Sequence, residues 1–188
     1  MFLKDFTRDA TPASFLRVLP AAAPSGLSAA TLVEAETGWI PANALRIGAK
    51  VHTFDGGLAT ILGLTRKPVQ DAPAILIPGG IAGNCADLIL PRGQHILVDT
   101  LDDPSLPDAD MVLVPATAWL GLPGVFETRL TDEVITPLFA DEEILWANSG
   151  TLLHCPSLAG TGYDGGFFQR LAPTEGRAFL ARRWARLA

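Results

Sequence analysis

The 188-residue chain carries a formal charge of −6 and is 48% hydrophobic and 18% charged. That composition excludes a disordered polymer, and the acidic balance excludes a general nucleic-acid binder, which needs a basic surface to release phosphate counterions. The length suits one domain of ordinary size with a terminal appendage, and 18 glycines and 15 prolines at short intervals favour many short strands over long helices.

Residues 1 to 19 scatter Phe2, Leu3, Phe6, Phe15, Leu16, Val18 and Leu19 among charges and are expected to form a short docking arm, with "PAAAPSG" at 20 to 26 as a linker. Lys4, Asp5, Arg8, Asp9 and Arg17 interrupt any apolar run of signal-peptide length. This points to a cytoplasmic protein, or one exported without a Sec-type signal. No run approaches the length of a membrane span.

From Thr31 the pattern changes to strands. "TLVEAETGWIPA" is expected to be a hairpin turning at Gly38-Trp39, and "AKVHTFDGGLATILGLTRK" a second one turning at 54 to 57, with a helical turn in "NALRIGAK" between them. "APAILIPGGIAG" reads as a buried strand, and "DLIL" and "HILVDT" as two strands around "PRGQ". A strand at 111 to 114 precedes a short helix at about 115 to 120, where Pro115 sits at a first-turn position that needs no N–H. "VITPLF", "EILWAN" and "TLLHC" follow as strands. After a loop, "PTEGRAFLARRWARLA" is an amphipathic helix whose Arg177, Arg182, Arg183 and Arg186 form a basic face, expected to be solvated or to meet an acidic partner.

The three histidines and two cysteines have no metal or redox spacing, so neither a metal nor another cofactor is expected. P-loop, GxGxxG, HExxH and GxSxG patterns do not occur, and the Gly-Gly pairs at 56, 79 and 165 fit turns. Acidic runs at Asp102-Asp103, Asp108 to Asp110 and Asp141 to Glu143 lie in loop-like stretches where solvated charge is the default. His154 and Cys155 are neighbours in a strand and so point to opposite faces, which excludes a direct dyad. Cys155 and Cys85 are expected to be small buried hydrophobes.

Three ordered blocks carry a family resemblance. "GLSAATLVEAETGWIPANALRIGAKVHTFDGG", with Thr31, Val33, Gly38, Leu45, Gly48, Val51, Phe54, Asp55 and Gly56, resembles the opening block of Hint domains. This is the self-processing fold shared by Hedgehog C-terminal domains and inteins, found also in bacterial Hint-domain-containing proteins. "LILPRGQHILVD" resembles the second block, with His95 at its histidine, and "EILWANSGTLLHC" the closing block, with His154 at the penultimate histidine. The resemblance covers about residues 26 to 157.

In that family a Cys or Ser attacks the preceding carbonyl, a second-block Thr and His polarise or protonate the scissile bond, and the closing His assists cyclisation of a terminal Asn. Carried onto this chain, the pattern departs at most of these positions. Gly26 stands at the nucleophile position, Arg92 at the second-block Thr, Glu143 at a closing-block histidine and Cys155 at the terminal Asn. Only His95 and His154 remain of the family's site.

The resemblance therefore implies a compact, mainly β Hint-like fold over residues 26–157, with an arm and linker at 1–25 and a loop and helix at 158–188. His95, His154 and Cys155 would be a remnant site in a degenerate, non-catalytic descendant that binds a protein partner or serves assembly. The alternatives are autocatalytic cleavage near Ser25–Ser28 assisted by His95, and an unrelated all-β binding protein.

Overall fold

The computed structural model describes residues 24–54, 56–101, 103–159 and 167–187. The expected arm and most of its linker, Asp55, Asp102 and the 160–166 stretch lie outside the described residues.

Fifteen short strands and one helix follow in order. They are β1 (Leu27–Ser28), β2 (Leu32–Ala35), β3 (Gly38–Pro41), β4 (Lys50–Thr53), β5 (Gly57–Thr60), β6 (Gly63–Pro68), β7 (Ala72–Ile77), β8 (Leu88–Pro91), β9 (His95–Asp99), β10 (Met111–Pro115), β11 (Phe126–Leu130), β12 (Glu133–Leu138), β13 (Glu143–Ala147), β14 (Thr151–Cys155), β15 (Gln169–Arg170) and α1 (Pro173–Leu187). Single 3-10 turns occupy Ala42–Ala44 and Ala116–Trp119. The protein is thus mainly β with a C-terminal helix.

The strands form three sheets. The largest runs β15-β10-β9-β14-β13-β2-β4-β5, with β3 on β2, and two three-stranded sheets run β1-β12-β6 and β11-β7-β8. β8 and β9, which flank "PRGQ", do not pair with each other. The chain leaves one sheet after Pro91 and enters another at His95, so Gly93 and Gln94 lie where two sheets meet.

Alternation along the strands sets the core. In β4, Val51 and Thr53 are buried while Lys50 is exposed, and the inward set of β2, Val33 and Ala35, joins Val51, Leu145 and Leu153 in the main core. β14 is buried on both faces. Leu153 and Cys155 enter the main core, whereas Leu152 packs with Leu97, Leu113 and Ile144 on the opposite face.

Three local expectations are corrected, and β11 is a strand that was not expected. The first hairpin turns at Glu36-Thr37, and Gly38 opens β3 instead. Residues 63–68 leave the second hairpin to pair with β12, and 126–130 pair with β7. β6 is half-buried at Gly63 and Leu64 and exposed from Thr65 to Pro68, and β11 is mostly exposed, so neither shows an apolar period. Cys85 is exposed rather than buried, and both cysteines are free thiols.

The basic face of α1 stays largely exposed, and it also finds an acidic partner in the same chain. Arg182 Nε donates to Asp103 Oδ2 at 3.0 Å and Arg182 Nη2 to Ser105 Oγ at 2.6 Å. Arg183 and Arg186 donate to the backbone carbonyls of Asp99 and Leu101. Asp103 is 1% exposed, contrary to the solvated charge expected of its run. On the other side of the helix, Phe179 and Leu180 join the main core, each worth about 1.5–3 kcal/mol of burial. Gly176 permits the approach: a Cβ there would stand 2.9 Å from Ala118 Cβ and 3.1 Å from Val114 Cγ1.

Candidate functional site

β1 pairs with β12 in the register Leu27↔Ile135 and Ser28↔Val134, which presses Gly26 onto β12. Its φ is +135°, a region that disfavours L side chains. A Cβ at this position would come within 2.6 Å of Thr136 Oγ1, 2.8 Å of the Ile135 carbonyl oxygen and 2.8 Å of Val134 Cγ1. Gly26 thus lacks a nucleophile and also occupies a place that excludes a side chain.

Gln94 joins this segment to the closing strand. Its side-chain oxygen accepts from Gly26 N at 2.8 Å and from Ser25 Oγ at 2.9 Å, and its Nε2 donates to the carbonyls of His154 at 2.8 Å and His95 at 3.1 Å. The residue is 0% exposed, and this set uses both acceptor sites and both donors of the amide. The peptide group between Ser25 and Gly26 is therefore held on both sides, since Thr136 Oγ1 donates to the Ser25 carbonyl at 3.1 Å.

Pairing of β14 with β9, Leu153↔Ile96, places the next residues of each strand beside one another. The rings of His95 and His154 lie edge to face with centroids 6.4 Å apart. His154 is 4% exposed, and its Nε2 contacts Glu142 Oε1. β15, parallel to β10 with Leu113↔Arg170, brings in Arg170. Its Nη2 reaches Glu142 Oε1 and stands 3.1 Å from His154 Nε2, while Phe167 N donates to Glu142 Oε2 at 3.2 Å.

The charges explain the protonation of this cluster. Burial resists ionisation of Glu142, but His154 and Arg170 outweigh it and hold the carboxyl below its ordinary range. Burial and the nearby Arg170 push His154 down to about 4, against the opposing pull of Glu142. Arg170 already neutralises Glu142, so the carboxylate does not need a charged imidazole. His95 is lowered by burial and then by Arg170, with the Gly93 backbone and Glu142 opposing.

Cys155 points away from all of this, into the main core. Burial, followed by the charge of Glu143, pushes its thiol far up, so no thiolate is available. Arg92 lies on the surface, 3.3 Å from Glu127 Oε1. Glu143 sits by the 53–57 turn, its Oε2 3.3 Å from where a Cβ on Gly56 would be. Among the described residues no three His, Cys, Asp or Glu side chains are grouped to hold a metal ion.

The structure therefore brings together Gly26, His95 and His154, and leaves Arg92, Glu143 and Cys155 out of the cluster. Gln94, Glu142 and Arg170 belong to the cluster and were not singled out from sequence. A polar residue immediately before His95 was the available signal for Gln94. Glu142 was hidden in an acidic run, and Arg170 comes from beyond the matched blocks.

The site is thus a part-buried imidazole–carboxylate pair and a clamped glycine in a mainly β fold. The chain is similar in structure to three solved intein structures at low identity. These are the Msm DnaB1 intein splicing domain (TM-score 0.45, 15% identity, 69% of this chain and 99% of that one), the MchDnaB-1 intein (TM-score 0.44, 11% identity, 69% and 99%) and the AceL NrdHF class 3 split intein (TM-score 0.44, 12% identity, 72% and 100%). No family model matches the chain, and no curated protein matches it in sequence.

Proposed function

We propose that residues 26–157 are a Hint-like domain that no longer processes itself and is kept as a binding or assembly module. The observation that carries this reading is the steric closure at Gly26, where a nucleophilic side chain would collide with Thr136 and with the backbone of β12. The buried neutral thiol of Cys155, which also lacks an amide for imide formation, supports it at the other end of the domain. What remains is a rigid polar junction: Gln94 ties residues 25 and 26 to β14, and Glu142 ties β14 to the segment that follows.

Intact mass after prolonged incubation with thiol or hydroxylamine tests the loss of chemistry. The full-length mass is expected, and any fragment beginning between Ser25 and Ser28 sinks the reading. Cross-linking in cell extract and sedimentation of the pure protein test the binding half. A monomer that yields no cross-linked protein above background counts against it.

One observation favours a second reading, cleavage at Pro24–Ser25. Gly93 N donates to the Pro24 carbonyl at 3.0 Å, an arrangement that would stabilise negative charge on that oxygen. The Ser25 hydroxyl would add to the Pro24 carbonyl carbon, the amide nitrogen would take the proton, and an ester with a free Ser25 amine would result. Hydroxylamine would then release a fragment beginning at Ser25. Against this, the Ser25 hydroxyl donates to an amide oxygen, which is no base.

A further inference from the structure

Away from the histidine cluster, β9 and β14 stop pairing after Leu97↔Leu152. A cavity of about 480 Å³ opens where they part. The Gly80–Gly83 loop, Trp119 and α1 close it, and its walls are mainly apolar, with Val98, Leu122, Leu180 and Trp184 among them. Its volume lies within the range of small-ligand pockets.

The wall also holds polar residues, Asp99 and Arg183, and the indole of Trp119. Arg183 lines the cavity, and its Nη1 donates to the Asp99 carbonyl. None of the ion pairs among the described residues includes Arg183; burial lowers its pKa, and the charge of Asp99, which also lines the cavity and is exposed, opposes that. Trp119 is 4% exposed, and among the described residues its Nε1–H is the buried side-chain polar atom without a partner. An unpaired buried donor costs about 1–3 kcal/mol.

We propose that this cavity is a binding site for a small aliphatic carboxylate, the chain lying against the apolar walls and the carboxylate meeting Arg183. A carboxylate would give the guanidinium a direct ion-pair partner, where Asp99 supplies a nearby charge without an ion pair.

The test is titration of the ¹⁵N-labelled full chain with decanoate and with 1-decanol, each kept below its aggregation range, following the indole N–H signals. Trp119→Phe serves only to assign the Trp119 peak. Decanoate is expected to shift the Trp119 and Trp184 peaks saturably, and decanol to bind about tenfold more weakly, the worth of one charge-assisted contact. Arg183→Gln, checked for folding by circular dichroism, should bring decanoate to the decanol level. No saturable shift with decanoate, or equal binding of acid and alcohol, overturns the proposal. That comparison is made in the unaltered protein and decides even if the variant fails to fold. Unchanged decanoate affinity in a folded Arg183→Gln protein overturns it as well.

Discussion

Gln94 Nε2 donates to the His154 carbonyl at 2.8 Å across 60 positions of sequence, while the oxygen of the same amide receives Gly26 N. One side chain thus fastens the entry of the domain to its closing strand. Replacing it by leucine leaves two donors and two carbonyls short of a partner in a buried place and should cost at least about 3 kcal/mol, read by urea unfolding. Gln94→Glu separates geometry from charge. Its carboxylate would face the His95 and His154 carbonyls, so its folded pKa must lie above the unfolded one, and the variant should regain stability as the pH is lowered. A pH-independent loss would contradict the role assigned to the amide.

Restoring a nucleophile at position 26 should not restore cleavage. Gly26→Cys and Gly26→Ala both place a Cβ against backbone at a φ of +135° and are expected to destabilise by roughly 2–4 kcal/mol. The Cys variant should keep its full mass in thiol. A cleaved Gly26→Cys protein would show that β12 can move aside.

His154 gives stability a defined pH dependence. Its folded pKa is pushed down to about 4 from the ordinary 6.5, so between those values the unfolded chain holds a proton that the folded one does not. Stability should therefore rise with pH across that window, by up to about 1.4 kcal/mol per pH unit for this group, and be flat above it. His154→Gln should remove that slope from the difference curve. Arg170→Gln takes away the cation beside the ring and should move the His154 titration upward, as followed by NMR. An unmoved titration would show that burial alone sets it.

The docking of α1 should fail in acid. Hydrogen bonds from the Ser105 hydroxyl and backbone N–H, with Arg182, outweigh burial and hold the Asp103 carboxyl down to about 2. Its contribution is present above the ordinary value of 3.8 and is lost as the pH falls through the folded one. Asp103→Asn should cost roughly 2 kcal/mol at neutral pH and speed amide exchange in α1 ahead of β9. Uniform exchange across both would show that the helix is not separately anchored there.

The strands whose inward residues are apolar, such as β4 and β14, were legible because burial on at least one face leaves a pattern in the residues. β6 and β11 were not, since their exposed side chains carry no such period. The site divides in the same way. His95 and His154 stand in recognisable blocks, and strand alternation correctly separated His154 from Cys155. Glu142 could not be told from a solvated acid, because two of the groups that bond it, the Phe167 N–H and Arg170, lie beyond the blocks. The partner of the α1 arginines was hidden for the same reason: Asp103 is 79 positions from Arg182, and only the folded chain brings them together.

Beyond Cys155 the chain does not hang free. Phe139 N and O bind Pro156 O and Leu158 N, β15 adds to β10, and Phe179 and Leu180 lie in the main core. A break after Cys155 would therefore produce a nick and not a release. The pieces would travel together through a sizing column and part only in denaturant, so a search for self-cleavage under native conditions would miss it.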